Sequence, residues 1–248
     1  MLRPDQRNGL RQVARLLLLA SACAFVISYF LRNRLPDKGA ILPSLGQDPV
    51  QTGTDLPGPF DVTRKGVTYV VDPIFNYELW GMVVSYHHAD SFVDLAHKMW
   101  NDHINIKDVC VIWGKNVETG VYRRMKFRSR DFTCFYRYPD QETGTLFSAD
   151  CFSNNHLLGA DSLVSRKILR ARKGDQIHFR GWLVSYGQKS TSFRRGTSTV
   201  RADRGDGACE TVFVKEFEVL KPANVEMRAL NRISIALVVL CIGILFFI

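Results

Sequence analysis

The sequence predicts a mostly β, α+β protein: a small, partly open β-barrel with one inserted amphipathic helix, flanked by two transmembrane helices. Three observations carry this. Uncharged apolar runs stand near both ends, a Pro/Gly-rich stretch follows the first of them, and short segments rich in β-branched and aromatic residues fill most of the rest.

The 248 residues divide accordingly. Residues 1–12 form a basic head and 13–31 the first span, whose core from Leu16 to Leu31 carries no charge. A cleaved leader is the competing reading, because Arg3, Arg7, Arg11 and Arg15 precede the run and Ala20-Ser21-Ala22 offers small residues. The apolar run continues through Phe25-Val26-Ile27 to Arg32, so a retained anchor is expected. Ala20 and Ala24, at helical spacing, would allow another helix close approach. At the other end, residues 233–248 lack the polar stripe of a core helix and read as the second span, after a juxtamembrane segment at 221–232. Two spans put both ends on one side. The four-arginine head favours the cytoplasm, which places the domain in the periplasm of a bacterial inner membrane.

Residues 32–60 hold Pro36, Pro43, Pro49, Pro57 and Pro59 among several glycines, and are expected to form an extended tether. The domain proper is expected at 61–220. Strands are predicted at Val67–Val71, Leu79–Tyr86, Val109–Trp113, Val121–Phe127, Phe132–Tyr138, Gln176–Tyr186 and Thr211–Leu220. The inserted helix starts at a Ser91 cap, with Phe92, Leu95, Ala96, Met99 and Trp100 on one face. A basic helical turn is expected within Asp161–Ala171. Gly181, inside an alternating strand, suits a point of sharp coiling. Several strands with one inserted helix point to an oligonucleotide/oligosaccharide-binding (OB-like) arrangement, with an irregular sandwich as the alternative.

Four cysteines lie in the domain. If the turn at 139–144 makes a hairpin, Cys134 and Cys151 fall opposite one another, leaving Cys110 and Cys209 as a second disulfide. The alternative is four buried thiols.

No P-loop, dinucleotide fingerprint or nucleophile elbow is present, and no cofactor or bound metal is expected. His87 and His88, with His97 and His103 nearby, lack metal-ligand spacing. Cys151 and His156 are close in sequence, but Asn154-Asn155 between them reads as a turn. The net charge of +9 is more informative. Arg124, Lys126, Arg128 and Arg130 alternate onto one face of a predicted strand, and Arg166 to Lys173 form a second cluster. A third runs from Lys189 through Arg194, Arg195 and Arg201 to Arg204 in a Ser/Thr-rich loop.

The expectation is a non-enzymatic, membrane-anchored binding or assembly subunit of a cell-envelope complex for secretion, transfer or biogenesis. Its partners would be membrane lipid and other envelope subunits with acidic surfaces, in a homo- or hetero-oligomer. Two alternatives remain: an envelope hydrolase or nuclease using the His87/His88 region, and a cytoplasm-facing OB-like nucleic-acid binder. A periplasmic domain disfavours nucleic acid.

Overall fold

The computed structural model describes residues 3–89, 99–130, 132–203, 205 and 207–247, and the chain forms two compact units. Residues 90–98, which hold most of the expected amphipathic helix and His97, lie outside the described residues, as does Arg204.

The first unit comprises Met1–Arg34 and Ala223–Ile248. Its helices α1 (Pro4–Leu31) and α5 (Val225–Phe247) are each long and apolar enough to cross a membrane. They pack side by side, and the contact is made by small residues at coiled-coil spacing. Ala14, Ser21 and Ser28 are buried on α1, as are Asn231, Ser234 and Cys241 on α5. Ala20, expected at the contact, is instead exposed, because a seven-residue repeat places Ser21 and not Ala20 on the seam. Asn231 sits inside the pair. Its Nδ2 donates to Ser28 Oγ at 3.1 Å and its Oδ1 accepts from Arg32.

The second unit, Leu35–Pro222, is built on an eight-stranded sheet that closes on itself. Its strands are β1 (Val50–Thr52), β2 (Phe60–Arg64), β3 (Val67–His88), β4 (Asn105–Ile112), β7 (Phe152–Leu158), β8 (Gln176–Gln188), β9 (Arg194–Arg195) and β10 (Glu210–Lys221). The ring runs β3, β4, β7, β10, β8 and back to β3, with only β7 and β10 parallel. The expected open side is therefore closed. The reason lies in β3, where the two predicted strands at 67–71 and 79–86 fuse into one of 22 residues, long enough to pair with β4 and β8. Register shifts after Pro73 and Val83 bend it around the ring. Gly181, expected at a point of sharp coiling, stands where the β8–β10 register shifts, and a Cβ there would lie 2.0 Å from the Phe213 carbonyl.

Alternate residues of these strands fill the ring. Leu79, Val83, Val109, Val111, Trp113, Ile177, Phe179, Val212 and Phe217 form one buried cluster, each large side chain contributing roughly 1.5–3 kcal/mol. Helix α4 (Ser162–Arg170), capped by Asp161 accepting from Leu163 N and Val164 N, adds Ile168 to it. The buried Lys107 ammonium donates to the Ala171 carbonyl at 2.5 Å, beyond the C-terminal end of that helix.

A separate two-stranded ribbon, β5 (Lys126–Arg130) and β6 (Thr133–Arg137), packs outside β4. Short helices α2 (Lys115–Thr119) and α3 (Gln141–Leu146) flank it in the chain. The hairpin thus precedes the turn at 139–144, which is helical and closes no strand pair. This changes the disulfide. Cys110 on β4 bonds to Cys134 on β6, with Cα atoms 5.9 Å apart, while Cys151 and Cys209 are free thiols. The expected Cys134–Cys151 and Cys110–Cys209 pairs do not form.

The expected tether is also part of this unit. Leu45 is fully buried, Leu42 N donates to Gln176 Oε1 at 2.7 Å, and Tyr122 Oη donates to the Pro36 carbonyl at 2.8 Å. Val50–Thr52 pairs with β3. Proline and glycine kept 35–60 to short pieces, two 3-10 turns and the three residues of β1, and the apolar residues between them found places on the sheet.

Candidate functional site

Strand β7 reads Phe-Ser-Asn-Asn-His-Leu-Leu, and its polar middle suggested a turn. It is instead a fully paired inner strand with Ser153, Asn154, Asn155 and His156 all buried. Polar side chains at such positions are costly unless they find partners. Here Ser153, Asn154 and His156 line a cleft.

Asp108 on β4 stands directly across from His156 on β7, and Thr211 of β10 flanks His156 on the other side. Asp108 Oδ1 lies 2.6 Å from His156 Nδ1, with both side chains 1% exposed. Asn105 Nδ2 donates to the same Asp108 oxygen at 3.0 Å. Cys209 comes just before β10, so its thiol shares the cleft with His156. Asn154 Nδ2 donates to Cys209 Sγ at 3.3 Å and to the Phe132 carbonyl at 2.7 Å. The carbonyl also faces the thiol, at 3.7 Å.

Burial opposes a charge on His156, but the Asp108 charge and its hydrogen bond outweigh it, helped by Cys209, and lift the ring to about 9. At neutral pH it is an imidazolium. Its Nε2 is buried and makes no hydrogen bond of normal geometry within the protein, although the Cys209 thiol is near enough to contribute to that lift.

The cleft encloses about 680 Å³. Phe132, at the turn of the β5–β6 ribbon with φ of 60°, closes one side. Its ring meets His156 edge-on at 5.9 Å and carries the Arg195 guanidinium 4.2 Å above its face. Arg201 lies over Tyr77 and Trp113, at 5.8 and 5.5 Å, and 3.6 Å from Glu210. Burial pushes Glu210 up to about 7 against the opposing pull of Arg201. Besides His156 Nε2, three more buried polar atoms of this lining lack a hydrogen-bond partner: Asn154 Oδ1, Glu210 Oε2 and Arg195 Nη1. Four such atoms gather at one cleft, where a polar ligand would find donors and acceptors.

The predicted basic residues separate into groups. Arg195 and Arg201 enter the cleft. Arg194 is spent on the backbone carbonyls of Gln188 and Phe193, at 2.7 and 2.8 Å, and Lys189 pairs with Asp61. Lys126, Arg128 and Arg130 do share the exposed face of β5. Arg124 does not join them, because it falls in a 3-10 turn and pairs with Asp140 and Glu142. The alternative region at His87/His88 is different in character: burial and the Lys107 charge hold His88 near 4. Among the described residues no three His, Cys, Asp or Glu side chains are grouped to hold a metal.

Sequence reasoning paired His156 with Cys151, its neighbour in the chain, and assigned Cys209 to a disulfide. Asp108 carried no signal, being one carboxylate within an apolar strand. No protein-family model, curated protein or solved structure matches this chain.

Proposed function

We propose that the chain is a membrane-anchored thiol enzyme of the acyl-transfer or hydrolase type, with Cys209 as nucleophile, His156 as general acid and base, and Asp108 as the positioning residue. The convergence of these three on one cleft is the observation that carries the reading. Asp108 holds the proton on Nδ1 and so turns Nε2 toward the thiol. The proton of the thiol–imidazole pair stands on Nε2 of the imidazolium, so the sulfur attacks the acyl carbon as a thiolate. As the leaving group departs it takes that proton from the imidazolium, and a thioester remains on Cys209. Water or a second acceptor, deprotonated by His156, then releases the acyl group and restores the thiolate. The Asn154 amide, already a donor to Sγ, supports negative charge on the sulfur.

The two apolar helices support membrane anchoring, and the arginine head supports placing the domain outside the cytoplasm. The Cys110–Cys134 bridge supports the same side, since such bonds persist in oxidising compartments. The strand order of the ring, with a long shared first strand and one parallel pair, supports the OB-like reading of the domain.

The test is to trap the acyl-enzyme. With p-nitrophenyl acetate, the intact protein in detergent is expected to release a burst of nitrophenolate and to carry an acetyl group on the Cys209 peptide. Cys209→Ser abolishes the burst, and His156→Asn slows it by about 10²-fold or more. A second reading, the non-enzymatic docking subunit, draws on Lys126, Arg128 and Arg130 beside exposed Phe135, Tyr136 and Tyr138. No acetyl group on Cys209, together with membrane crosslinks from this ribbon to an acidic protein, would decide for it.

A further inference from the structure

The thiol, imidazole and carboxylate account for a reaction but not for what the cleft accepts. Arg195 supplies the missing element. Strand β9 fixes its backbone against Tyr186 on β8, and its guanidinium rests on the Phe132 ring. Phe132 is also the residue whose carbonyl faces Cys209 Sγ and whose ring edge meets His156, so a single residue spans from the guanidinium to the nucleophile. The nearest carboxylate to Arg195, Asp102 Oδ2, is 4.0 Å away and accepts instead from Tyr186 Oη at 2.7 Å. Arg195 Nη1 is thus buried at the cleft with a charge beside it but no acceptor.

We infer that Arg195 is the specificity determinant of this site and binds a carboxylate carried by the substrate next to the bond that Cys209 attacks. The inference rests on the reading of Cys209 as nucleophile. A planar guanidinium fork with unspent donors matches a carboxylate in shape and charge. A dianion such as a phosphate monoester fits less well, because Asp102 already stands 4.0 Å from Arg195 and Glu210 3.6 Å from Arg201. A monoanion adds one charge where one guanidinium lacks a hydrogen-bonded partner. The substrate class is therefore an acyl compound with a free carboxylate close to the scissile bond, such as the end of a peptide or an amide of a dicarboxylic acid.

Alkylation of Cys209 tests both layers in the intact protein. The thiolate displaces iodide from the methylene carbon of iodoacetate or iodoacetamide, two reagents of similar size of which only the first carries a carboxylate. Rates are read by mass spectrometry of the Cys209 peptide, with the urea-unfolded chain as reference. The expected result is a higher iodoacetate-to-iodoacetamide ratio in the folded protein than in the unfolded one. Arg195→Gln lowers that ratio about tenfold, the size of one charge-assisted hydrogen bond, and the ratio cancels any change that the lost charge brings to the thiol itself. Arg195→Lys, which keeps the charge without the fork, falls between and carries the test should the glutamine variant not fold. A fast Cys209 whose ratio ignores both substitutions overturns carboxylate binding and leaves the nucleophile standing. A Cys209 no faster than in the unfolded chain with either reagent overturns both.

Discussion

Burial usually keeps a histidine neutral, and His156 differs because the Asp108 carboxylate touches its Nδ1. Its folded value, about 9, stands above the ordinary 6.5, so the folded state holds the proton more tightly than the unfolded chain. The resulting stabilisation is complete below pH ~6.5 and is lost as pH rises through the folded value. Asp108→Asn removes it. The variant is expected to lose about 3 kcal/mol below pH ~6.5, the cost of orphaning one member of a buried pair, with the deficit shrinking steadily toward pH ~10. Urea midpoints across that range measure it, and a deficit independent of pH would show that the pair is not ionic. The chemistry of this site was partly readable from the chain. Arg195 and Arg201 stood out as a cluster in a polar loop, and His156 and Cys209 were each notable. What joins them is the register of β4, β7 and β10, and no local pattern encodes it.

At the level of elements, strands with apolar faces on the ring were readable and the one with a polar middle was not. Segments such as 176–188 and 210–221 show β-branched and aromatic residues at strand period, and both form strands. Strand β7 hides because Ser153, Asn154 and His156 face the cleft, and their burial depends on partners in other parts of the fold. The β5–β6 ribbon belongs to the same problem. It is a small sheet of its own, and the Cys110–Cys134 bond ties it to the ring close to the turn that bears Phe132. Opening that bond by Cys134→Ser is expected to cost about 3 kcal/mol, the chain-entropy value for a loop of this length. Hydrogen exchange should rise along residues 126–137 while β3, β8 and β10 stay protected, and acetylation of Cys209 should slow as Asn154, which the Phe132 carbonyl holds in place, loses its position on the sulfur. Exchange rising evenly over the whole ring would show that the ribbon is no separate element. Recovery of Cys110 and Cys134 as free thiols after acid quenching of intact cells would remove the support for an oxidising compartment.

For the molecule as a whole, composition foresaw two apolar helices and one β-rich unit, and the compact unit reaches beyond the 61–220 expected for it. Breaker residues at 32–60 signalled only the absence of regular structure, whereas the second compact unit begins at Leu35. Within it, Asp48 accepts from Trp113 Nε1 at 3.2 Å, Leu45 O accepts from Gly114 N at 2.8 Å, and the Ala40 carbonyl accepts from Gln176 Nε2 and Lys221 Nζ at 2.9 and 2.8 Å. These contacts cover the side of the sheet that Met82, Val84 and Ile112 present, a face too apolar to be left in water. Two truncations separate the boundaries. Residues 35–222 alone are expected to be soluble and to keep a reactive Cys209, because the ring and its covering segment are both present. Residues 61–220 lose the burial of Leu45, worth roughly 1.5–3 kcal/mol, and also the β1 pairing and the Trp113 and Gln176 hydrogen bonds at about 1 kcal/mol each. That sum is a large part of the stability of an ordinary domain, so the shorter piece should aggregate or melt well below the longer one. Equal melting temperatures for the two pieces would show that the segment is the free tether its prolines suggested, and that the face beneath it has some other cover.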